Sequence, residues 1–89
     1  MQVSYRKKFL KQLAKLPAEI RPTIEQFVFE TLPTHTSLAE IGKIEKMQGY
    51  DGYYKIRFGS YRVGIKQESD ESITVQIVMH RRDIYRYFP

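Results

Sequence analysis

The residues with the clearest chemical potential are basic side chains that alternate with apolar ones along residues 53–66. A period of two is typical of a β-strand, and the Gly59-Ser60 pair fits a tight hairpin turn. Folding the chain at that turn places Arg57 opposite Arg62, on the same face as Lys55. Like charges at opposed positions repel, and we expect no acidic residue on this face. The pattern therefore predicts a face that binds an anion, and phosphate oxygens suit guanidinium groups well.

Other kinds of catalytic site find little support among the residue types. Cysteine is absent, so a disulfide, a thiolate zinc site and a cysteine nucleophile are impossible. The two histidines, His35 and His80, lie far apart without the spacing of metal ligands. No pair of carboxylates suggests a glycosidase. The sequence thus predicts no metal and no cofactor, and leaves catalysis by cations.

The overall charge also favours an anionic partner. The chain has 89 residues, with 15 Lys and Arg against 10 Asp and Glu, for a net charge of +5. Acidic residues gather in 17–42 and 68–71, whereas basic residues dominate 1–16 and 43–66. This balance favours a polyanion such as a nucleic acid. The length predicts one domain, residues 1–89, without repeats or linkers.

No segment has the pattern of a secretion signal or a membrane span. The first 16 residues lack an apolar run, and no stretch approaches the roughly 18 apolar residues that cross a bilayer. Without cysteine, the disulfide framework of a small secreted protein is also missing. We therefore expect a soluble cytoplasmic protein without membrane contact.

A short strand and a helical hairpin precede the basic hairpin. Alternation predicts a strand over Met1–Tyr5, and apolar residues at helical spacing predict an amphipathic helix over Arg6–Leu16. A second helix should follow, with a kink or a broken first turn near Pro22, because an interior proline removes a hydrogen bond. Ser37 and Glu40 have the spacing of a capping box, which predicts one further short turn.

A third strand should follow the basic hairpin. Its alternation leaves Val78 and His80 on the face away from the core and predicts a core face of Ile73, Val75, Ile77 and Met79. The whole pattern predicts an α+β fold, in which the short N-terminal strand and the helical hairpin pack on a small antiparallel sheet.

Two segments together, Gly52–Val63 and Val78–Arg86, resemble the RelE/ParE superfamily of bacterial toxins, and the RelE branch in particular. The resemblance extends over nearly the whole chain and implies the RelE-like microbial ribonuclease fold. It also implies the toxin of a type II toxin-antitoxin system: a metal-independent endoribonuclease that cuts mRNA in the ribosomal A site and stops translation. In such cleavage the 2′-hydroxyl of the RNA attacks the adjacent phosphate. The implied partners are a cognate antitoxin, mRNA and the ribosome with its small-subunit rRNA.

The same resemblance assigns roles to individual residues. Arg57 and Arg62 would clamp the scissile phosphate, Arg81 would support the leaving group, and Tyr85 would stack on a base or orient the 2′-hydroxyl. Lys55 matches a basic position of the first hairpin strand.

The general base stays open at this stage. Where some members of the superfamily carry a second lysine, this chain has Arg57, and arginine does not readily give up a proton. Lys55 and His80 are the two candidates, and the sequence slightly favours His80, since histidines in general titrate near neutral pH.

Two alternatives to ribonuclease activity remain. A ParE-like toxin of the same fold would bind and inhibit DNA gyrase without RNA chemistry, and would not require Arg62, Arg81 or Tyr85. A degenerate toxin would fold and bind its antitoxin but cleave nothing, which the missing second lysine permits.

Overall fold

The computed structural model describes residues 1–89 as one five-stranded sheet, with the first two helices on one face and a short C-terminal helix on the other. The elements are β1 (Gln2–Tyr5), α1 (Lys7–Ala14), α2 (Arg21–Gln26), β2 (Ile44–Lys46), β3 (Tyr53–Phe58), β4 (Tyr61–Ser69), β5 (Ser72–His80) and α3 (Ile84–Tyr87). The strand order is β1-β5-β4-β3-β2, with β1 parallel to β5 and the other pairs antiparallel. The predicted α+β class is confirmed. None of the helices is long and apolar enough to span a lipid bilayer.

Helix α1 packs against β5 through its apolar stripe. Phe9 and Leu13, four positions apart, are buried in the core between the helices and the sheet. Gln12 lies beside them, and its side-chain oxygen accepts a hydrogen bond of 3.0 Å from the backbone N–H of Val78. Val78 lies beyond the four residues of β5 that pair with β1, so the Gln12 side chain supplies the acceptor for its backbone N–H.

The second helix is irregular because of its prolines. Pro22 stands at the second position of α2, where its missing N–H costs nothing, so the regular helix begins at the predicted break near Pro22. The helix then widens into a π-helical turn, Phe27–Thr31, and a 3₁₀ turn, Leu32–Thr34. In the π pattern the Val28 carbonyl would accept from residue 33, which is a proline without an N–H. The Tyr5 hydroxyl donates to this carbonyl instead, at 2.5 Å.

The predicted capping box at Ser37 is wrong. Ser37 makes no side-chain bond to the 3₁₀ turn Leu38–Glu40. Glu40 instead accepts hydrogen bonds from the backbone N–H and the hydroxyl of Thr36. These two bonds hold the pKa of the Glu40 carboxyl below its usual range.

The predicted hairpin register is confirmed. Across β3 and β4, Arg57 lies opposite Arg62 and Lys55 lies opposite Gly64. Gly59 in the turn has a φ of +57°, a conformation that suits glycine. Ile56 and Val63 point to the helix side and are fully buried there.

Strand β5 departs from the predicted alternation because it contains a bulge. The pairing with β4 jumps from Gly64–Ile77 to Ile65–Val75, which leaves Gln76 as an extra residue. An extra residue reverses the faces beyond it. Val78 therefore joins Ile73 and Val75 in the helix-side core, and the assignment of Ile77 and Met79 to that core is wrong.

The other face of the sheet carries a second, smaller core that the sequence analysis did not predict. After β5 the chain turns back across this face and forms the single helical turn α3. Ile84 and Phe88 are buried there against Met47 and Ile77. The segment 81–89 therefore covers part of the face that carries the predicted cations.

Candidate functional site

Five of the six predicted site residues lie together on or above the face of the sheet opposite α1 and α2. Lys55, Arg57 and Arg62 project from β3 and β4 on this face. Arg81 and Tyr85 belong to the segment that turns back over it. His80 alone lies on the helix side, as described below.

Arg57 and Arg62 form a cross-strand pair of cations near the hairpin turn. Arg57 is exposed, and Arg62 is half-buried. One terminal nitrogen of Arg62 donates to the backbone carbonyls of Gly59 and Tyr61, at 2.8 and 2.9 Å. These bonds fix the direction of the guanidinium group and leave its other nitrogen atoms free to bind an anion.

Arg81 lies at the same end of the sheet. Its backbone N–H donates to the carbonyl of Ser60 in the hairpin turn, at 2.8 Å. Its side chain is exposed. The three ion pairs of the structure all involve lysines, so none of the arginines is neutralised by a carboxylate. Arg57, Arg62 and Arg81 thus form an arginine cluster with open charges.

Lys55 is the most unusual residue of the site, because a lysine that is only 5% exposed lies beneath the returning segment. Its Nζ donates a hydrogen bond to the Tyr85 hydroxyl. The same nitrogen lies 4.1 Å from the centre of the Tyr85 ring, a cation–π contact. Tyr85 itself is 67% exposed. The pair therefore joins a buried amine to a phenol that faces solvent.

Glu45 is a site residue that the sequence analysis missed. It lies opposite Lys55 in β2, and its carboxylate oxygen is 4.0 Å from Lys55 Nζ. The expectation of a face without acidic residues is therefore wrong. A strand of three residues is too short to give a pattern of alternation, so Ile44–Lys46 offered no signal of its own.

A groove of about 620 Å³ opens beside the Lys55–Tyr85 pair. Tyr50, which is 53% exposed, and Tyr85 present aromatic rings along it. Such rings can stack on bases of single-stranded RNA. The lining consists of Glu45, Lys46, Met47, Gln48, Tyr50, Lys55, Tyr85, Arg86, Phe88 and Pro89.

The expected position of His80 on the cationic face is wrong, because the bulge in β5 turns it to the helix side. Its ring packs edge-on against Tyr61, with the ring centres 5.4 Å apart. Its Nδ1 accepts a hydrogen bond of 3.1 Å from the backbone N–H of Arg82. The neutral ring therefore carries its proton on Nε2, and the lone pair that a base needs is already in use.

Comparison with known proteins shows the family of this chain. A family model described as the ParE toxin of type II toxin-antitoxin systems, parDE, matches residues 3–85. This chain belongs to the RelE/ParE superfamily of toxins. Toxin RelE3 of Methanocaldococcus jannaschii is 40% identical to it over an alignment of 90 positions that covers 100% of both chains. The resemblance found in the sequence is thereby confirmed.

Solved structures of RelE toxins have the same fold. The RelB-RelE antitoxin-toxin complex from Methanococcus jannaschii contains a chain that is 38% identical, with a TM-score of 0.77 over 97% of this chain and 99% of that one. The RelBE2 complex from Mycobacterium tuberculosis contains one that is 22% identical, with a TM-score of 0.66 over 90% and 96% of the two chains. At the latter identity the likeness concerns the fold alone. This RelE/ParE toxin is thus the toxin of a type II toxin-antitoxin system.

Proposed function

We propose that this toxin is a ribosome-dependent endoribonuclease that cleaves mRNA in the A site. The observation that carries the proposal is the arrangement of the arginine cluster beside the buried Lys55–Tyr85 pair. Phosphate binding and proton transfer are the two tasks that RNA cleavage by the neighbouring 2′-hydroxyl demands. No protein nucleophile is needed for it.

The arginine cluster serves the phosphate. Arg57 and Arg62 bind the non-bridging oxygens, where negative charge grows as the 2′-oxygen attacks, and Arg81 stabilises the leaving 5′-oxygen. Because Arg62 is already held by two backbone carbonyls, little reorganisation is needed when the phosphate arrives.

The Lys55–Tyr85 pair serves proton transfer. Lys55 donates to the phenol oxygen, so the hydroxyl hydrogen of Tyr85 points away from Lys55 and is free to meet the substrate. Between the two candidates for the base we favour Lys55, whose ammonium group must first give up a proton so that the neutral amine can accept the one from the 2′-hydroxyl. His80 is less suited, because its Nδ1 is occupied by the Arg82 N–H.

The decisive experiment is primer extension on a translated mRNA with purified ribosomes. We compare the native protein with Arg62→Ala, Arg81→Ala and, as a control of equal charge change, Lys15→Ala. Lys15 is exposed at the end of α1, in the helix layer on the other face of the sheet. The native protein and Lys15→Ala should cut only when ribosomes are present. The two arginine variants should lose at least about 100-fold in rate.

The absence of cuts, from a protein that is folded and toxic in cells, would contradict the proposal. The second candidate function, inhibition of DNA gyrase, is favoured by the match to the ParE family model. A supercoiling assay then tests it, and in that case Arg62→Ala and Arg81→Ala should remain toxic.

We also propose that a RelB-like antitoxin binds this chain. The supporting observation is the RelB-RelE complex of Methanococcus jannaschii, whose matching chain is 38% identical over nearly its full length. Co-expression with the product of an adjacent small reading frame should suppress toxicity and give a complex that co-purifies. Unchanged toxicity with every neighbouring product would contradict the pairing.

A further inference from the structure

We propose that Gly64 and Phe88 form a notch and a plug that hold Tyr85 over Lys55. This makes both of them positioning residues of the site. The catalytic consequence rests on the proposed ribonuclease function, but the contact itself can be tested without it.

The notch is the empty side-chain position of Gly64 in the middle of β4. Gly64 lies between Lys55 and Ile77 in one row across the sheet. A Cβ at this position would lie 2.8 and 2.9 Å from two atoms of the Phe88 ring, and 2.7 Å from Cγ2 of Ile77. Real Cβ atoms do not approach other atoms so closely. The backbone of Gly64 is not left-handed, so space rather than conformation calls for glycine here.

The plug is needed because α3 cannot hold its own position. A helix of four residues is far too short to be stable without tertiary contacts. Ile84 and Phe88 supply these contacts, since they are 0% and 4% exposed. The backbone N–H of Phe88 also donates to the Ile84 carbonyl, at 2.9 Å, which closes the turn.

Tyr85 lies between these two anchors and has little to hold it otherwise. It is 67% exposed, and its hydrogen bond and its ring contact both go to Lys55. The ring of Phe88 in the notch therefore decides where the Tyr85 hydroxyl lies. An error of about 1 Å in the placement of a reacting group can cost on the order of 100-fold in rate.

The contact can be tested by NMR through the side-chain methylenes of Lys55, whose chemical shifts depend on the ring current of the neighbouring Tyr85. The test variants are Phe88→Ala, Gly64→Ala and the double variant Gly64→Ala with Phe88→Leu. In the double variant the smaller side chain relieves the contact of the added methyl group with the Phe88 ring, while the contact with Ile77 Cγ2 stays. Phe88→Leu alone keeps a buried apolar side chain and serves if Phe88→Ala does not fold. Leu32→Ala is the matched control, because Leu32 is equally buried in the helix-side core.

We expect Phe88→Ala and Gly64→Ala to move the Lys55 methylene signals towards positions typical of an exposed lysine, while the amide signals of the sheet stay in place. The double variant should recover part of the shift, and Leu32→Ala should keep it in full. Unmoved Lys55 signals in folded Phe88→Ala, Phe88→Leu and Gly64→Ala would overturn the proposal.

The kinetic consequence is measured in the ribosome assay, below the unfolding temperature of every variant. Phe88→Ala should lower the maximal cleavage rate about 10- to 100-fold with little change in the KM for ribosomes. A merely structural role would instead give equal losses for Phe88→Ala and Leu32→Ala, in proportion to their unfolding. If the native protein cleaves nothing, the ribonuclease proposal fails, and the NMR result still decides whether the notch positions Tyr85.

Discussion

Arg57 and Arg62 illustrate, at the scale of single residues, how the structure supports a pair of opposed cations. Like charges directly opposite each other in a sheet destabilise it by roughly 0.2–1 kcal/mol. The structure contains no carboxylate partner for either residue, but two backbone carbonyls hold Arg62 in place. This repulsion is the cost of keeping the site ready for an anion. An anion that binds between the two arginines would relieve it.

Single substitutions can also distinguish the two candidates for the base, Lys55 and His80. We expect Lys55→Met, which keeps the buried shape and removes the amine, to lower the cleavage rate by at least about 100-fold. His80→Asn keeps an acceptor for the Arg82 N–H and should stay within about threefold of the native rate. Single-turnover cleavage on ribosomes measures both. Loss of activity in His80→Asn together with an active Lys55→Met would assign the base to His80 instead.

Two irregular elements determine which residues meet. The bulge at Gln76 in β5 turns Ile77 and Met79 to the site face and His80 away from it. The π-helical turn after α2 leaves the Val28 carbonyl to the Tyr5 hydroxyl. In both elements a local irregularity changes which groups meet. A regular strand or a regular helix would have made different contacts at these positions.

The Tyr5 contact gives a prediction about stability at the scale of elements. Tyr5→Phe leaves the Val28 carbonyl without a donor and should lower the free energy of unfolding by about 1–2 kcal/mol, measured by denaturant unfolding at pH 7. Tyr50→Phe is the control, since Tyr50 is exposed and its hydroxyl makes no hydrogen bond within the protein. Equal stability of the Tyr5→Phe and Tyr50→Phe variants would contradict a structural role for this bond.

The pH dependence of the same contact has a defined sign. Burial raises the pKa of the Tyr5 phenol above its usual value of 10.0. The unfolded chain therefore loses this proton first, and stability that is fully present below about pH 10 falls as the pH rises through the folded pKa. Tyr5→Phe lacks this term, so the difference between the native protein and the variant should shrink above pH 10.

The whole molecule is a single sheet with a core on each face. The helix-side core is the larger and includes Phe9, Ile24 and Val63, all fully buried. The site-side core has four buried residues and depends on the segment after β5. Stability thus comes mainly from one face, while the other face carries the cations and the groove. Residues of the site face can therefore be replaced without loss of the helix-side core.

The net charge of +5 leads to a prediction at the same scale. If the arginine cluster binds RNA phosphates, the affinity for a ribosome-mRNA complex should fall as salt is added. Arg62→Ala should reduce the slope of log K against log salt concentration by about 1, and Lys15→Ala should leave it unchanged. Equilibrium binding at several salt concentrations measures the slope. Equal slopes for the native protein and Arg62→Ala would mean that Arg62 does not contact phosphate.

The sequence by itself determined the hairpin register, the pairing of Arg57 with Arg62, the amphipathic α1 and the α+β class. Each of these depends on local alternation, turn residues or helical spacing, which act over a few neighbouring positions. The superfamily was also recognisable, because its motifs lie in two continuous segments of the chain.

Only the tertiary structure decided which groups surround Lys55 and which face His80 occupies. Glu45 comes from a strand too short to show a period, and Tyr85 reaches Lys55 from the segment that folds back after β5, where Phe88 packs against Gly64. The bulge at Gln76 reversed a pattern that local alternation predicts to continue. Such contacts join residues far apart in the chain, and their positions depend on packing between elements rather than on any local period.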